Sequence, residues 1–447
     1  MGLLPLTYSR PSHISHDEYR KSRESAASSE RASLRSGRSG LSAGIPDALA
    51  FDKIIAGKTC PPMAIRDFMN YLLFVEFSAE NLQFYLWYQG YIERFGKAPS
   101  SDLALAPKWT REMEDEISTR IQKEASEKTR PVRSGAAEIF KGTDFDNKTA
   151  AEHGIEIDTF PILPRTPTSS GDRDSIYAPS SLPSNTSTLR SGTGEAFASA
   201  GAKAPFTIQP FREEIDRIIS TYIMVDAPRQ LNLSDRDRKT LLHALSYTTH
   251  PSALDIAFKA ADSSLRFQSH PNFVRWSVCN GNPPRISFAR TLGFSGIALS
   301  FGLAIMLTLS TSARGWRAFL AFGWALGICS VVASYRGMCI CMYAMHHRHI
   351  RPWELFLDAE EGVQAVAKRS FDSFGSSNSF EQEPWLVNYS NKSLIFKIFD
   401  KEAWIQEPVL RQIQDTIFVQ SLLIGSAIAA ILAIIFVFIP AGNLFSF

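Results

Sequence analysis

The stretch that most restricts what this chain can become is Ile417 to Ile439, IFVQSLLIGSAIAAILAIIFVFI, which contains no charged residue. It exceeds the ~18 consecutive apolar residues at which a membrane-spanning helix becomes the economical reading. Two further runs precede it. Phe288 to Ser310 has one charge, at its start, and Ala318 to Ser334 is apolar, with tolerable residues continuing to Met345 past Arg336. Core helices of a large soluble protein are the competing reading, and the length and low charge of the runs speak against it. The expectation is a transmembrane hairpin over 286–345, a loop over 346–416 and a third transmembrane helix over 417–439, with a short tail at 440–447.

Orientation follows from basic residues near the spans. Arg275, Arg285 and Arg290 precede the first, and Arg348, Arg351, Lys392, Lys397 and Arg411 lie near the ends of the long loop. The loop between the first two spans has Arg314 and Arg317, and the tail has no charge. The N-terminal part and the long loop are therefore expected in the cytosol and the C-terminus outside. The N-x-[ST] sequons then all fall on the cytosolic side and are expected to stay unglycosylated. A channel or transporter would need polar groups inside the spans. Arg336 is the main one, and snorkelling to the headgroups explains it. Gly323 and Gly327 form a GxxxG, and Gly425, Ala429 and Ala433 continue a small-residue stripe; packing within one protomer and homo-oligomerisation both account for these.

The rest of the chain is of a different composition. Of 447 residues, about the first 45 are Ser/Arg-rich and read as a disordered tail. Residues 130 to about 205 are dense in Ser, Thr, Pro and Gly and read as a disordered insertion in a surface loop, whose closure entropy rises only slowly with length. Helical spacing governs what flanks it, so the soluble part is expected to be an all-α bundle. The N-terminus lacks the apolar core of a signal peptide, and Leu6 weakens a myristoylation signal at Gly2. A net charge of +2 suggests no nucleic-acid partner. Five cysteines without paired spacing suggest neither a disulfide framework nor a zinc site. The His346–His349 run near Cys339 and Cys341 reads as a basic cluster anchoring the cytosolic end of a span rather than as a metal site. No nucleophile–base pair, phosphate loop or paired-carboxylate site stands out, so neither catalytic residues nor a cofactor is expected. Within the long loop, the segments beginning at Trp353 and Ser393 mix apolar and charged residues; helices lying on the bilayer and packing against the soluble domain are both open.

The soluble part is organised around Tyr71 to Tyr91, YLLFVEFSAENLQFYLWYQGY. An apolar run ends at Glu76-Phe77, Ser78 is placed to cap a second helix, and Gly96 to stop it. Glu80 and Asn81 occupy the first turn, where unpaired N–H groups welcome negative charge. After the insertion come a helix, the loop RQLNLSD with Asn232, a helix capped from Ser234 or Asp235, and a helix leading to Ser269 and Phe273.

This order and the pattern E-F-S-x-E-N-L-x-F-Y-L resemble the RGS family, the regulators of G-protein signalling, over roughly 50–130 and 206–276. With three C-terminal spans, the architecture resembles the fungal Rax-type bud-site-selection proteins. The resemblance implies a plasma-membrane protein at sites of polarised growth, working with a large single-span membrane polarity partner. It also implies a Gα subunit as a partner, contacted by residues corresponding to Glu80, Asn81 and Asn232. RGS domains act by bracing the Gα switch loops without supplying catalytic groups. The third contact surface departs from the pattern, since Gln268 and Asn272 stand where active members carry an acidic residue and an Arg. The expected role is a membrane-tethered scaffold or regulator, with GTPase activation as the alternative.

Overall fold

The computed structural model describes residues 45–128, 186–356, 371–379, 384–442 and 444. The expected N-terminal tail and the insertion as far as residue 185 lie outside them. The regular structure among the described residues is helical, apart from one antiparallel pair of short strands, β1 (His347–His349) and β2 (Glu402–Trp404). The principal helices are α1 (Phe51–Ile55), α2 (Ile65–Tyr71), α3 (Ala79–Gly96), α4 (Arg111–Lys128), α5 (Thr186–Ser199) and α6 (Arg212–Ile218). They continue as α7 (Asp235–Tyr247), α8 (Asp255–Ser264), α9 (His270–Val278), α10 (Pro283–Leu309), α11 (Leu320–Tyr335) and α12 (Pro408–Phe438). Single π turns extend α2 over Leu72–Glu76, α6 over Ile219–Ile223 and α8 over Leu265–Ser269. The chain divides into two compact units, 1–89 with 258–447 and 90–257, and α3 and α8 each run from one into the other.

In the first unit, α10, α12 and the stretch from Arg314 through α11 are long and apolar enough to cross a membrane. They pack through their smallest residues. A Cβ on Gly293 would lie 3.0 Å from the carbonyl oxygen of Gly327, and one on Gly327 equally close to that of Gly293. Gly425 meets the α11 backbone in the same way, 2.8 Å from the Ala325 oxygen. Gly323, Gly327 and Gly425 are thus all engaged within the chain. Trp324 is fully buried, with Phe301 and Phe436 each 5.3 Å away between ring centroids.

The boundaries of these helices are set locally. Asn282 caps α10 by accepting from the Arg285 N–H at 2.9 Å, and prolines open the first turn. The sequence places the start of the third long helix at Ile417, but α12 begins at Pro408, behind the carboxylate of Glu407, which accepts from the Val409 N–H. Nor does α11 carry on to Met345. Gly337, at φ +79°, breaks it against Cys279, and helix resumes over Ile340–Ala344. Arg317 is buried and donates to the carbonyls of Phe436 (3.0 Å) and Ile439 (2.7 Å), satisfying the end of α12.

One apolar core joins these helices to the N-terminal ones. Phe51, Phe68, Leu72, Leu82 and Tyr85 share it with Phe273 and Val274, and also with Ala333, Met338, Trp353, Ile405, Leu410, Ile413 and Ile417. Polar bolts reinforce it. Glu407 accepts from the Cys60 N–H at 2.8 Å, the Gln406 and Glu407 N–H groups donate to the Pro61 oxygen, and Gln414 donates to the Val278 oxygen at 3.1 Å. The loop segment at Trp353 packs here too, its ring stacked on Phe74 at 4.9 Å.

In the second unit, the buried Tyr91 donates its hydroxyl to the Thr249 oxygen and lies against Phe95 and Phe211. The buried pair Arg212–Asp216 closes at 2.6 Å, and Arg212 also donates to the Leu245 oxygen. The expected disordered insertion reached about residue 205, and the structure corrects its end, because α5 is an ordered helix. Phe197 is 2 % exposed, the Arg212 guanidinium lies 5.4 Å from its ring, and the His243 imidazole bonds the Ala200 oxygen. A stretch dominated by Thr, Ser and Gly has weak helix propensity of its own; one docked phenylalanine face supplies what propensity does not.

Candidate functional site

The corner between α2 and α3 is built by a change of helical pitch. After Tyr71 the π turn carries the chain to Phe77, which takes a left-handed conformation (φ +55°), and the Ser78 N–H returns to the Leu72 oxygen at 2.9 Å. The capping role expected of Ser78 is not made by its side chain, whose Oγ has no hydrogen-bond partner; its carbonyl instead accepts from the Asn81 N–H and side-chain amide. Glu80 stands partly exposed in the first turn of α3, while Asn81 is 8 % exposed and its amide is turned toward that carbonyl. Of the expected contact pair, therefore, Glu80 presents a surface and Asn81 serves chiefly the turn.

Glu76, one residue before the left-handed position, organises the corner. Its carboxylate accepts from the Ser269 hydroxyl at 2.7 Å. Burial pushes the Glu76 carboxyl above its ordinary range, against the lowering effect of the Ser269 and Tyr71 hydroxyls. This bond ties the α2 π turn to the α8 π turn, which carries Gln268. Four residues beyond Ser269, Phe273 is fully buried against Phe68 (5.0 Å), Tyr71 (5.4 Å) and Trp276 (6.3 Å). Ser269 and Phe273 are thus internal fastenings. Gln268 is exposed and Asn272 partly so. The exposed Gln268 therefore sits next to a residue, Ser269, that is bonded to Glu76, four positions before Glu80 in the chain.

A cluster the sequence did not single out braces this surface. Arg266 donates to both oxygens of Asp52 at 2.7 and 2.8 Å and to Asp262 at 3.0 Å, and its guanidinium covers the Phe51 ring at 4.7 Å. Those hydrogen bonds hold the Asp52 carboxyl below its usual range. Gln83 and Asn378 exchange reciprocal amide bonds of 3.1 and 3.2 Å, fixing the loop at 371–379 to α3. The Arg266–Asp52 and Gln83–Asn378 pairings join residues far apart in sequence, which is why spacing could not reveal them.

Asn232 belongs to the second unit. Leu231 and Leu233 are buried on either side, so the alternation of an extended segment leaves Asn232 exposed. The Leu231 N–H donates to the Tyr222 oxygen at 2.9 Å, and Ser234 caps α7 by accepting from the Asp237 N–H at 3.1 Å. The loop is therefore held at both ends with its asparagine outward.

The histidine run forms β1 and its approach. His349 pairs with Glu402 across the ladder, its imidazole meets the Asn282 amide at 3.0 Å, and burial lowers its pKa to about 4, so the ring is neutral at pH 7. His347 lies 3.3 Å from Glu402, Arg285 pairs with the same carboxylate at 2.6 Å, and Arg348 pairs with Glu354. Among the described residues no three His, Cys, Asp or Glu side chains gather as a metal-holding group. No family model, curated protein or solved structure matches the chain.

Proposed function

We propose that this chain is a multi-pass membrane protein whose helical part is an RGS-like docking module, a scaffold for a Gα subunit or a polarity partner. In this reading α10, α11 and α12 are spans, the N-terminus is cytosolic and the C-terminus lies outside, in the plasma membrane at sites of polarised growth. The chain supplies no catalytic group of its own. The single observation that carries the reading is the Glu76–Ser269 bond, which ties the corner before Glu80 to the π turn that carries the exposed Gln268. The same corner favours docking over GTPase activation, because Asn81 is turned inward and neither Gln268 nor Asn272 offers a charge. A large single-span membrane protein is the partner class implied by the resemblance.

The test is single-turnover GTP hydrolysis by candidate Gα subunits with and without the full chain in nanodiscs, with binding followed in parallel. Binding at the intrinsic hydrolysis rate supports the scaffold, acceleration makes the chain a GTPase activator, and absence of binding removes Gα as the partner. Tags at either end, probed on intact cells, test the orientation: a tag after Phe447 should be labelled and one before Met1 should not.

A further inference from the structure

The short helix Leu394–Ile398 reads L-I-F-K-I and buries none of its residues. Leu394 (69 %), Ile395 (69 %), Phe396 (71 %) and, just beyond it, Phe399 (68 %) are all largely exposed. Large apolar side chains gathered so densely mark a surface that meets something other than water.

Its attachment indicates what that is. The Asn282 amide, whose oxygen caps α10, donates to the Lys397 carbonyl at 2.5 Å, and the Phe399 ring meets Phe288 edge-on at 5.9 Å. Phe288 opens the outward apolar row of α10, followed by Leu292, Leu299 and Leu303. From Phe288 to Leu309 the helix rises roughly 32 Å at 1.5 Å per residue, about the thickness of a bilayer's hydrocarbon core. Beyond the far end stand the exposed rings of Trp316 and Phe319, 5.5 Å apart, in the manner of an interfacial belt. At the Phe288 end, Arg290 covers the exposed ring of Tyr335 at 4.4 Å. The helix at Leu394 therefore lies level with one edge of the apolar band.

Its polar groups match a headgroup layer. Residues 391–401 hold three lysines and one aspartate. Lys392 is paired with Asp400 at 2.9 Å, Lys397 donates to the Ser390 oxygen at 3.1 Å, and Lys401 is exposed. A net positive charge beside exposed aromatics suits an anionic leaflet.

We propose that Leu394 to Phe399 form an interfacial foot, with their apolar side chains in the headgroup–acyl boundary of the bilayer that α10 crosses and the lysines at its phosphates. The occupant of this face is lipid, and the proposal rests on the reading of α10 as a span.

The test uses the full chain with the exposed Cys60 and Cys341 replaced by Ser, in nanodiscs of phosphatidylcholine and phosphatidylserine. Nitroxides are placed singly through Ile395→Cys, Phe396→Cys, Leu299→Cys and Lys401→Cys, with the parent background as baseline. The expected result is that oxygen relaxes the labels at 395, 396 and 299 more strongly than an aqueous nickel chelate does, with the reverse at 401. Nickel access at 395 and 396 while 299 stays oxygen-accessible would place the helix in water and overturn the foot alone. Shielding of 395 and 396 from both reagents would mean that protein covers the face, which also overturns it. Nickel access at 299 would remove the span reading together with the foot.

Discussion

Gln268 and Asn272, the residues that depart from the pattern the sequence resembles, both reach solvent without holding up the core. Replacing them therefore alters the surface rather than the fold. Gln268→Asp with Asn272→Arg adds a charge-assisted, bidentate pair beside the Glu76–Ser269 bond. If the missing charges limit this chain, the double variant should raise single-turnover GTP hydrolysis by a bound Gα, and Asn232→Ala in that background should abolish the gain. Hydrolysis that stays intrinsic in a folded, binding variant would show a docking face and nothing more. Asp67 gives a prediction about pH. Burial raises its carboxyl to about 6, although Arg348 opposes the shift. The folded chain then holds a proton that the unfolded chain releases near pH 4, so stability is greatest below that value and falls as pH rises toward 6. A shift of about two units corresponds to roughly 3 kcal/mol. Asp67→Asn keeps an acceptor for the Ala64 N–H and removes the titration. The melting-temperature difference between wild type and variant should change between pH 4 and pH 7, and a difference independent of pH would sink the assignment.

At the scale of the element, α5 is the sharpest test of where order ends. Its sequence, TSTLRSGTGEAFAS, offers one large aromatic, and that side chain is almost entirely buried. Phe197→Ala should cost roughly 3 kcal/mol, the usual loss for a buried phenylalanine, measured by denaturant unfolding of the full chain. Deleting residues 135–183 should leave the melting temperature unchanged, whereas deleting 135–203 should lower it. Equal tolerance of both deletions would make α5 dispensable. The three apolar helices α10, α11 and α12 were legible because an apolar run announces itself without regard to partners. Their ends were less so: the early start of α12 depends on the Glu407 cap and on Leu410 and Ile413 finding a core, and the break after α11 depends on Cys279 standing where a Cβ at Gly337 would go.

For the whole molecule, the core shared by the N-terminal helices and the base of α11 and α12 has a direct consequence. Excising residues 45–280 would strip Trp353, Ile405, Leu410, Ile413 and Ile417 from that core and leave its apolar face in water. The fragment should therefore melt at a lower temperature than the full chain in detergent and bind a hydrophobic dye such as ANS; a fragment with an unchanged, cooperative transition would show the helices to be self-sufficient. The sequence alone determined the all-α class, the three apolar helices and the corner that begins α3. Those features follow from periodicity, charge and turn chemistry within a few residues. Tertiary structure decided that Glu76 and Ser269 join two π turns, that Gly293 and Gly327 pack on one another while Gly425 meets the α11 backbone, and that Trp353 is buried while Leu394 to Phe399 are not. Each of these depends on which residues distant in the chain come into contact, and local sequence carries no record of that.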